Sequence, residues 1–391
     1  MQEGSPGGSP ASVRDFHVVF FNWRDTANPE GGGSERYVER MARGLVDRGA
    51  RVTVFCAAHE AAPRDEVVDG VRFMRRGDKL SIYLLGFLHL LLRRFGKVDL
   101  VVDVQNGLPF FTRLATRKPV VVLVHHVHRE QWPVVYPGKI GRLGWWLESR
   151  LSPRLYRRSQ YITVSEATRD ELIGLGIDAE RIAVVHNGTA PPPPVATRRS
   201  RTPAIAVVGR LVPHKQIEHA IDAVAAVRRL RPDVQLTIVG SGWWEEDLRA
   251  YAAAAGAADL VTFTGFVSER EKHEVLARSW LMLLPSLKEG WGLVVGEAGA
   301  HGVPTIAYAS AGGTRESIAH DQSGLLVADE PELISAVSAL VADDQRRLRL
   351  GVGARARSLR FAWEHSQEMF ADVVESAAAG RRVSVGDRAG L

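Results

Sequence analysis

Two carboxylates, Glu289 and Glu297, stand eight positions apart in the stretch PSLKEGWGLVVGEAGAHGVP, residues 285–304. Gly290, Gly292, Gly296 and a short apolar run separate them. A carboxylate accepts hydrogen bonds and is repelled by other anions, so each is suited to hydroxyl groups. Between them the glycines allow close backbone approach, and a helix beginning near Trp291 to Val294 would turn its N–H groups toward an anion. The spacing therefore suits a ligand with hydroxyls at its two ends and negative charge between. Taken alone, the same residues also fit an ordinary loop running into a solvated helix.

A second cluster, His125, His126 and His128, follows the apolar run PVVVLV. On an extended strand His126 and His128 share a face and His125 points the other way. No Cys or carboxylate follows at metal-ligand spacing, so no metal site is expected. The single cysteine, Cys56, has no disulfide partner and reads as a small buried core residue.

These residues must be held by a larger framework. At 391 residues the chain exceeds what one hydrophobic core usually covers, and 45% apolar with 24% charged residues is a globular composition. FHVVFFNW (16–23) is a continuous apolar run of the kind found in buried parallel strands. A glycine loop follows, then a helix over 35–49 with Tyr37, Val38, Met41, Leu45 and Val46 on one stripe and Gly49 as its stop. RVTVFCA is the next strand, and further strands fit 100–105, 119–126, 160–165 and 181–188. After four consecutive prolines the alternation resumes, with strands at 204–211, 234–242, 261–267, 280–286, 304–309 and 324–329. This pattern predicts an α/β protein of two Rossmann-like, doubly wound parallel-sheet domains facing across a cleft. The expected divisions are a disordered leader 1–14, a domain 15–190, a proline-rich linker 191–203, a second domain 204–360, a helix 361–378 and a tail 379–391.

The net charge of +5 is too diffuse to argue for nucleic acid. It is sharper over 139–159, where Lys139, Arg142, Arg150, Arg154, Arg157 and Arg158 face one acid, Glu148. The apolar segment 80–96, flanked by Lys79, Arg93, Arg94 and Lys97, is shorter than the roughly 20 residues that span a bilayer. The basic segment reads as a solvated helix face or one facing an anionic surface such as phospholipid. The apolar segment reads as a half-buried helix or one dipping into a membrane interface. The N-terminus lacks the apolar core of a signal peptide, so a cytoplasmic location, at the inner face of the cell membrane, is expected.

In sequence order, GGGSERYVERMARGLVDRG, SEATRDEL, VVHNG, VVGRLVPHK, IVGSG, FTGFV, the paired-glutamate stretch, GGTRE and SGLLV resemble the GT-B glycosyltransferases of family four, the large retaining group. The resemblance covers residues 16–375. It implies that the second domain binds a nucleotide sugar, with Arg210 and Lys215 on the diphosphate, Glu289 facing the sugar hydroxyls and Glu297 the ribose. It also implies that Gly32 and Gly33 approach the donor from the first domain, and that His125 lies near the transferred sugar. A one-residue shift would give that place to His126. Gly265 and Val267, in TGFVSER, would lie near the base. Gly290, Trp291, Gly292 and Leu293 would present the helix N-terminus to phosphate. The last helix would cross back onto the first domain.

A departing nucleoside diphosphate gathers negative charge that something positive must meet. The chain has no Asp-x-Asp pair to hold a divalent ion, and Arg210, Lys215 and the helix N-terminus can supply the charge instead. The expected activity is thus transfer of a hexose from a UDP- or GDP-sugar, with retention and without metal or other cofactor. The expected acceptor is a hydroxyl of a cell-envelope glycan or lipid-linked precursor, and a natural-product acceptor is the alternative. An NAD-dependent oxidoreductase is a distant alternative, because GGGSER lacks the Gly-x-Gly-x-x-Gly fingerprint. A non-catalytic nucleotide-binding protein is another. The family often has Gly after the lysine, where this chain has Gln216.

Overall fold

The computed structural model describes residues 14–384; the expected leader up to residue 13 and the tail from residue 385 lie outside them. The first sheet is built from β1 (His17–Phe21), β2 (Arg51–Cys56), β3 (Asp65–Val68), β4 (Val71–Arg75), β5 (Leu100–Val104), β6 (Val120–Val124), β7 (Gln160–Thr163) and β8 (Ile182–Val184). Its order is β3-β4-β2-β1-β5-β6-β7-β8, and every pairing is parallel except β3 with β4. The second sheet holds β9 (Ala204–Val208), β10 (Gln235–Val239), β11 (Val261–Gly265), β12 (Leu281–Leu284), β13 (Thr305–Tyr308) and β14 (Gly324–Val327). It is wholly parallel, in the order β11-β10-β9-β12-β13-β14.

Parallel strands read as unbroken apolar runs because both faces of the sheet are covered. On β1, Val18 and Phe20 join the core beneath the helix Gly33–Asp47, while Val19 and Phe21 join the core beneath the helix Ser81–Leu91. The second sheet likewise has a core on each face. The β3–β4 hairpin is an addition to the sequence reading. Its turn is Asp69-Gly70, both at positive φ, the pairing that matches strand twist in a two-residue hairpin.

The stretch 190–203 runs without helix or strand, tied to the second domain by Arg199 Nη2 donating to the His301 carbonyl (2.7 Å) and Trp280 Nε1 to that of Ser200 (2.8 Å). The final helix, Trp363–Ala378, packs on the helix Gly33–Asp47 of the first domain. Phe370 stacks on Phe20 with ring centres 6.0 Å apart, and Gln367 donates to the Arg40 carbonyl. The basic segment is not one regular helix: Lys139–Trp146 is α-helical, Leu147–Leu151 is a π-turn and Ser152–Leu155 resumes. Among the described residues no helix is long and apolar enough to cross a membrane.

Candidate active site

The carboxyl end of β12 leads into residues 285–292, and these into the helix Leu293–Ala300. Gly292 caps that helix at φ 82°, in the left-handed region where glycine is unstrained. Gly290 packs so closely on the first domain that a β-carbon there would collide with the His125 carbonyl oxygen. Glu289 is fixed through its backbone: its N–H donates to Ala311 (2.8 Å), and Gly313 donates to its carbonyl (3.1 Å). Its side chain accepts from Ser286 Oγ (2.7 Å) and Lys215 Nζ (2.6 Å), both on Oε1. Lys215 reaches it from the short 3-10 turn Pro213–Lys215, which Leu287 N–H pins through the His214 carbonyl (2.9 Å). The residues assigned by resemblance to phosphate and to sugar thus touch each other directly.

Glu297 lies one turn into the helix and is 9% exposed. Its Oε1 accepts from Arg36 Nη1 (2.7 Å) and is paired with Lys272 Nζ (2.9 Å). Its Oε2 is buried with no hydrogen-bond partner among the described residues. Arg36 comes from the other domain, and its second nitrogen donates to Glu269 (2.7 Å).

The glycine loop of the first domain faces these groups. Gly32 caps the helix Gly33–Asp47, its N–H donating to Glu35 Oε2 (2.8 Å), and Gly33 lies against the Leu293 side chain. Glu35 is buried, which by itself raises its pKa, but Arg24 and Arg210 reverse this and hold it below the usual carboxylate range. Arg24 also bonds Glu30 (2.9 Å) and sits over the Trp23 ring. Arg210, following β9, keeps an exposed side chain; the protein around it and the Arg24 guanidinium lower its pKa.

His125 follows β6 directly. Its ring meets Tyr37 edge-on at 5.3 Å, and its Nε2 is buried without a partner among the described residues. Burial lowers its pKa to about 4. His126 turns the other way, its ring 4.2 Å from that of His128 and its Nε2 3.1 Å from Gln131 Oε1. Burial and His128 lower its pKa as well. Glu148, the lone acid of the basic segment, is buried beneath this loop and accepts from the His128 N–H (3.1 Å) and Trp132 Nε1 (2.6 Å).

Trp291 turns away from the cleft. Its ring packs on His186 (4.7 Å) and Phe361 (4.9 Å) and is 4% exposed, so only its backbone can face a ligand. Gly265 ends β11 and accepts from the Gly240 N–H (3.0 Å), and Val267 packs half-buried against one of the two cores of the second sheet. Among the described residues, no group of three or more His, Cys, Asp or Glu side chains could hold a metal ion. The site adds residues that the sequence reading had not singled out: Arg24, Glu35, Arg36, His214 and Lys272. Arg36 and Glu297 meet although 261 positions apart, which no local pattern could announce. Glu35 was legible in principle, as the third helical residue after a glycine cap.

Comparison with known proteins identifies the family and the fold. Residues 31–192 match the model of Glycosyltransferase Family 4, and residues 194–357 that of Glycosyl transferases group 1. The chain is 30% identical over 407 residues to the D-inositol 3-phosphate glycosyltransferase of Xylanimonas cellulosilytica, covering 90% of this chain and 93% of that one. It is 31% identical over 244 residues to a GDP-mannose-dependent alpha-(1-6)-phosphatidylinositol monomannoside mannosyltransferase of Mycobacterium tuberculosis, covering 58% of this chain and 61% of the relative. Among solved structures it resembles a sucrose-phosphate synthase from Thermosynechococcus elongatus, with a TM-score of 0.80, 19% identity and coverage of 93% of this chain and 99% of that one. Two facing parallel-sheet domains, matches to one family model in each and a full-length relative together establish that the chain belongs to the group 1, family 4 glycosyltransferases.

Proposed function

We propose that this glycosyltransferase moves a hexose from a UDP- or GDP-sugar to a hydroxyl acceptor with retention of configuration, and that no metal ion takes part. The observation that carries this reading is the Lys215–Glu289 pair beside the N-terminus of the helix Leu293–Ala300, with Arg210 nearby. A bare carboxylate would repel a diphosphate. One neutralised by Lys215 can bind sugar hydroxyls while the lysine also reaches phosphate. Arg210 and the helix N–H groups meet the charge that develops on the leaving phosphate.

In the transfer, the bond from the anomeric carbon to the phosphate oxygen breaks as the bond to the acceptor oxygen forms. The acceptor proton passes to the departing phosphate oxygen on the same face of the sugar. His125 is neutral at pH 7, since burial lowers its pKa to about 4, so it orients the sugar through a hydrogen bond rather than by charge. Glu297 takes a ribose hydroxyl on its unpartnered oxygen.

The acceptor in this reading is a cell-envelope glycan or lipid-linked precursor, met at the inner membrane face. Leu80, Leu84, Leu91 and Leu92 are exposed beside Arg93 and Arg94, and Ile140, Leu143 and Trp146 beside Lys139 and Arg142. Both helices pack on the same side of the first sheet. The reading is tested by thermal shift with UDP, GDP, TDP and NAD, with and without EDTA. Stabilisation by UDP or GDP that survives EDTA is expected; stabilisation by NAD alone, or loss in EDTA, would overturn it.

A further inference from the structure

The ion pairs around Glu297 join two domains. Arg36, on the first helix of the first domain, donates one nitrogen to Glu297 Oε1 (2.7 Å) and another to Glu269 Oε1 (2.7 Å). Lys272 pairs with the same two carboxylates at 2.9 Å each. Two guanidinium or ammonium groups and two carboxylates form one compact, charge-balanced cluster.

The two oxygens of Glu297 are unequal. Oε1 carries both cations, whereas Oε2 is buried and has no partner among the described residues. A buried carboxylate oxygen without a donor keeps the full cost of its lost hydration, so such an atom is normally matched by a ligand or water. Holding Oε1 from two sides fixes the rotation of the carboxylate and so the direction of Oε2. One of the two hands that hold it belongs to the opposite domain.

We propose that Arg36 is a positioning residue that orients Glu297 across the cleft, so that ribose recognition depends on a side chain of the opposite domain. This rests on the reading in which Glu297 binds the ribose. Arg36 touches no part of the donor; it acts through Glu297. The glycine that opens the same helix lies against Leu293, so the helix Gly33–Asp47 abuts the helix that carries Glu297 at the point where Arg36 reaches it.

The test compares the ribo- and 2′-deoxyribonucleoside diphosphate of whichever base the protein binds, UDP against dUDP or GDP against dGDP, by calorimetry. The proteins are the wild type, Arg36→Ala, Arg36→Lys, Glu297→Gln and the double variant Arg36→Ala/Glu297→Gln, each with its melting temperature. The wild type is expected to prefer the ribonucleotide by about tenfold or more, the value of one charged hydrogen bond. Arg36→Ala is expected to lose most of that preference, Arg36→Lys part of it, and the double variant to bind no worse than Glu297→Gln alone. If Arg36→Ala keeps the full preference, or the two losses add, Arg36 does not act through Glu297 and the proposal falls. A wild type indifferent to the ribose hydroxyl overturns the Glu297 reading itself and the proposal with it. A fall in melting temperature with an intact ribo-to-deoxy ratio marks a merely structural Arg36 and also overturns it.

Discussion

In the proposed reading, Lys215 and Glu289 let a negatively charged donor be met by a site that contains carboxylates. Each carboxylate at the cleft is matched with a cation: Glu289 with Lys215, Glu297 with Arg36 and Lys272, and Glu35 with Arg24. Arg210 has no hydrogen bond to a carboxylate among the described residues, and in the proposed reading it is the cation that meets the donor's negative charge. His125 makes a separate prediction about pH. Its folded pKa is about 4 because burial disfavours the charged ring, against an ordinary 6.5. Between those values the unfolded chain binds a proton that the folded chain does not, so stability falls as pH drops through this window and is unaffected above it. The slope from this group is at most about 1.4 kcal/mol per pH unit. Urea unfolding of wild type and His125→Gln between pH 7 and pH 4 should show a shallower acid loss in the variant. Equal slopes would show that His125 is not buried neutral.

Helices and loops deliver these side chains, and their boundaries follow from single residues. Local signals, Gly49 after an apolar stripe and a glycine turn before Leu293, were enough to place both helices that face the cleft. The β3–β4 hairpin was also signalled, by Asp69-Gly70 between apolar residues, but in a segment too short and polar to read as core. The π-turn at Leu147–Leu151 has no such signal. It places Glu148 beneath the histidine loop, and that role depends on a tertiary contact rather than on spacing. Between the domains, Glu316 caps the helix Glu166–Gly174 by accepting from the Glu166 (2.8 Å) and Ala167 (3.0 Å) N–H groups. Gly290 sets the approach of the same two domains on the cleft side. Gly290→Ala should cost about 1–3 kcal/mol through overpacking, or open the domains and enlarge the radius of gyration seen by X-ray scattering. An unchanged melt and an unchanged scattering profile would contradict the close contact with the His125 carbonyl.

At the scale of the whole molecule, the alternation of apolar runs and helices made two parallel-sheet domains legible, because strands covered on both faces cannot hide their composition. Pairings across the cleft were not legible, since Arg36–Glu297 and Glu316 with the helix at Glu166 join positions more than a hundred residues apart. The exposed leucines and cations on one side of the first domain predict adsorption to anionic vesicles that weakens with salt. Co-sedimentation with phosphatidylglycerol vesicles should fall for Leu84→Ser/Leu91→Ser, and equal binding to neutral vesicles would contradict the charge component. The central claim is a donor site that recognises a nucleoside diphosphate with its own cations. Its most direct test is calorimetric titration of UDP and GDP, in EDTA, into wild type and Arg210→Ala/Lys215→Ala. The wild type should bind one of them, and the double variant should bind it at least about 100-fold more weakly, as expected for losing two charge-assisted contacts. Binding that requires an added divalent ion, or that survives both substitutions, would contradict it.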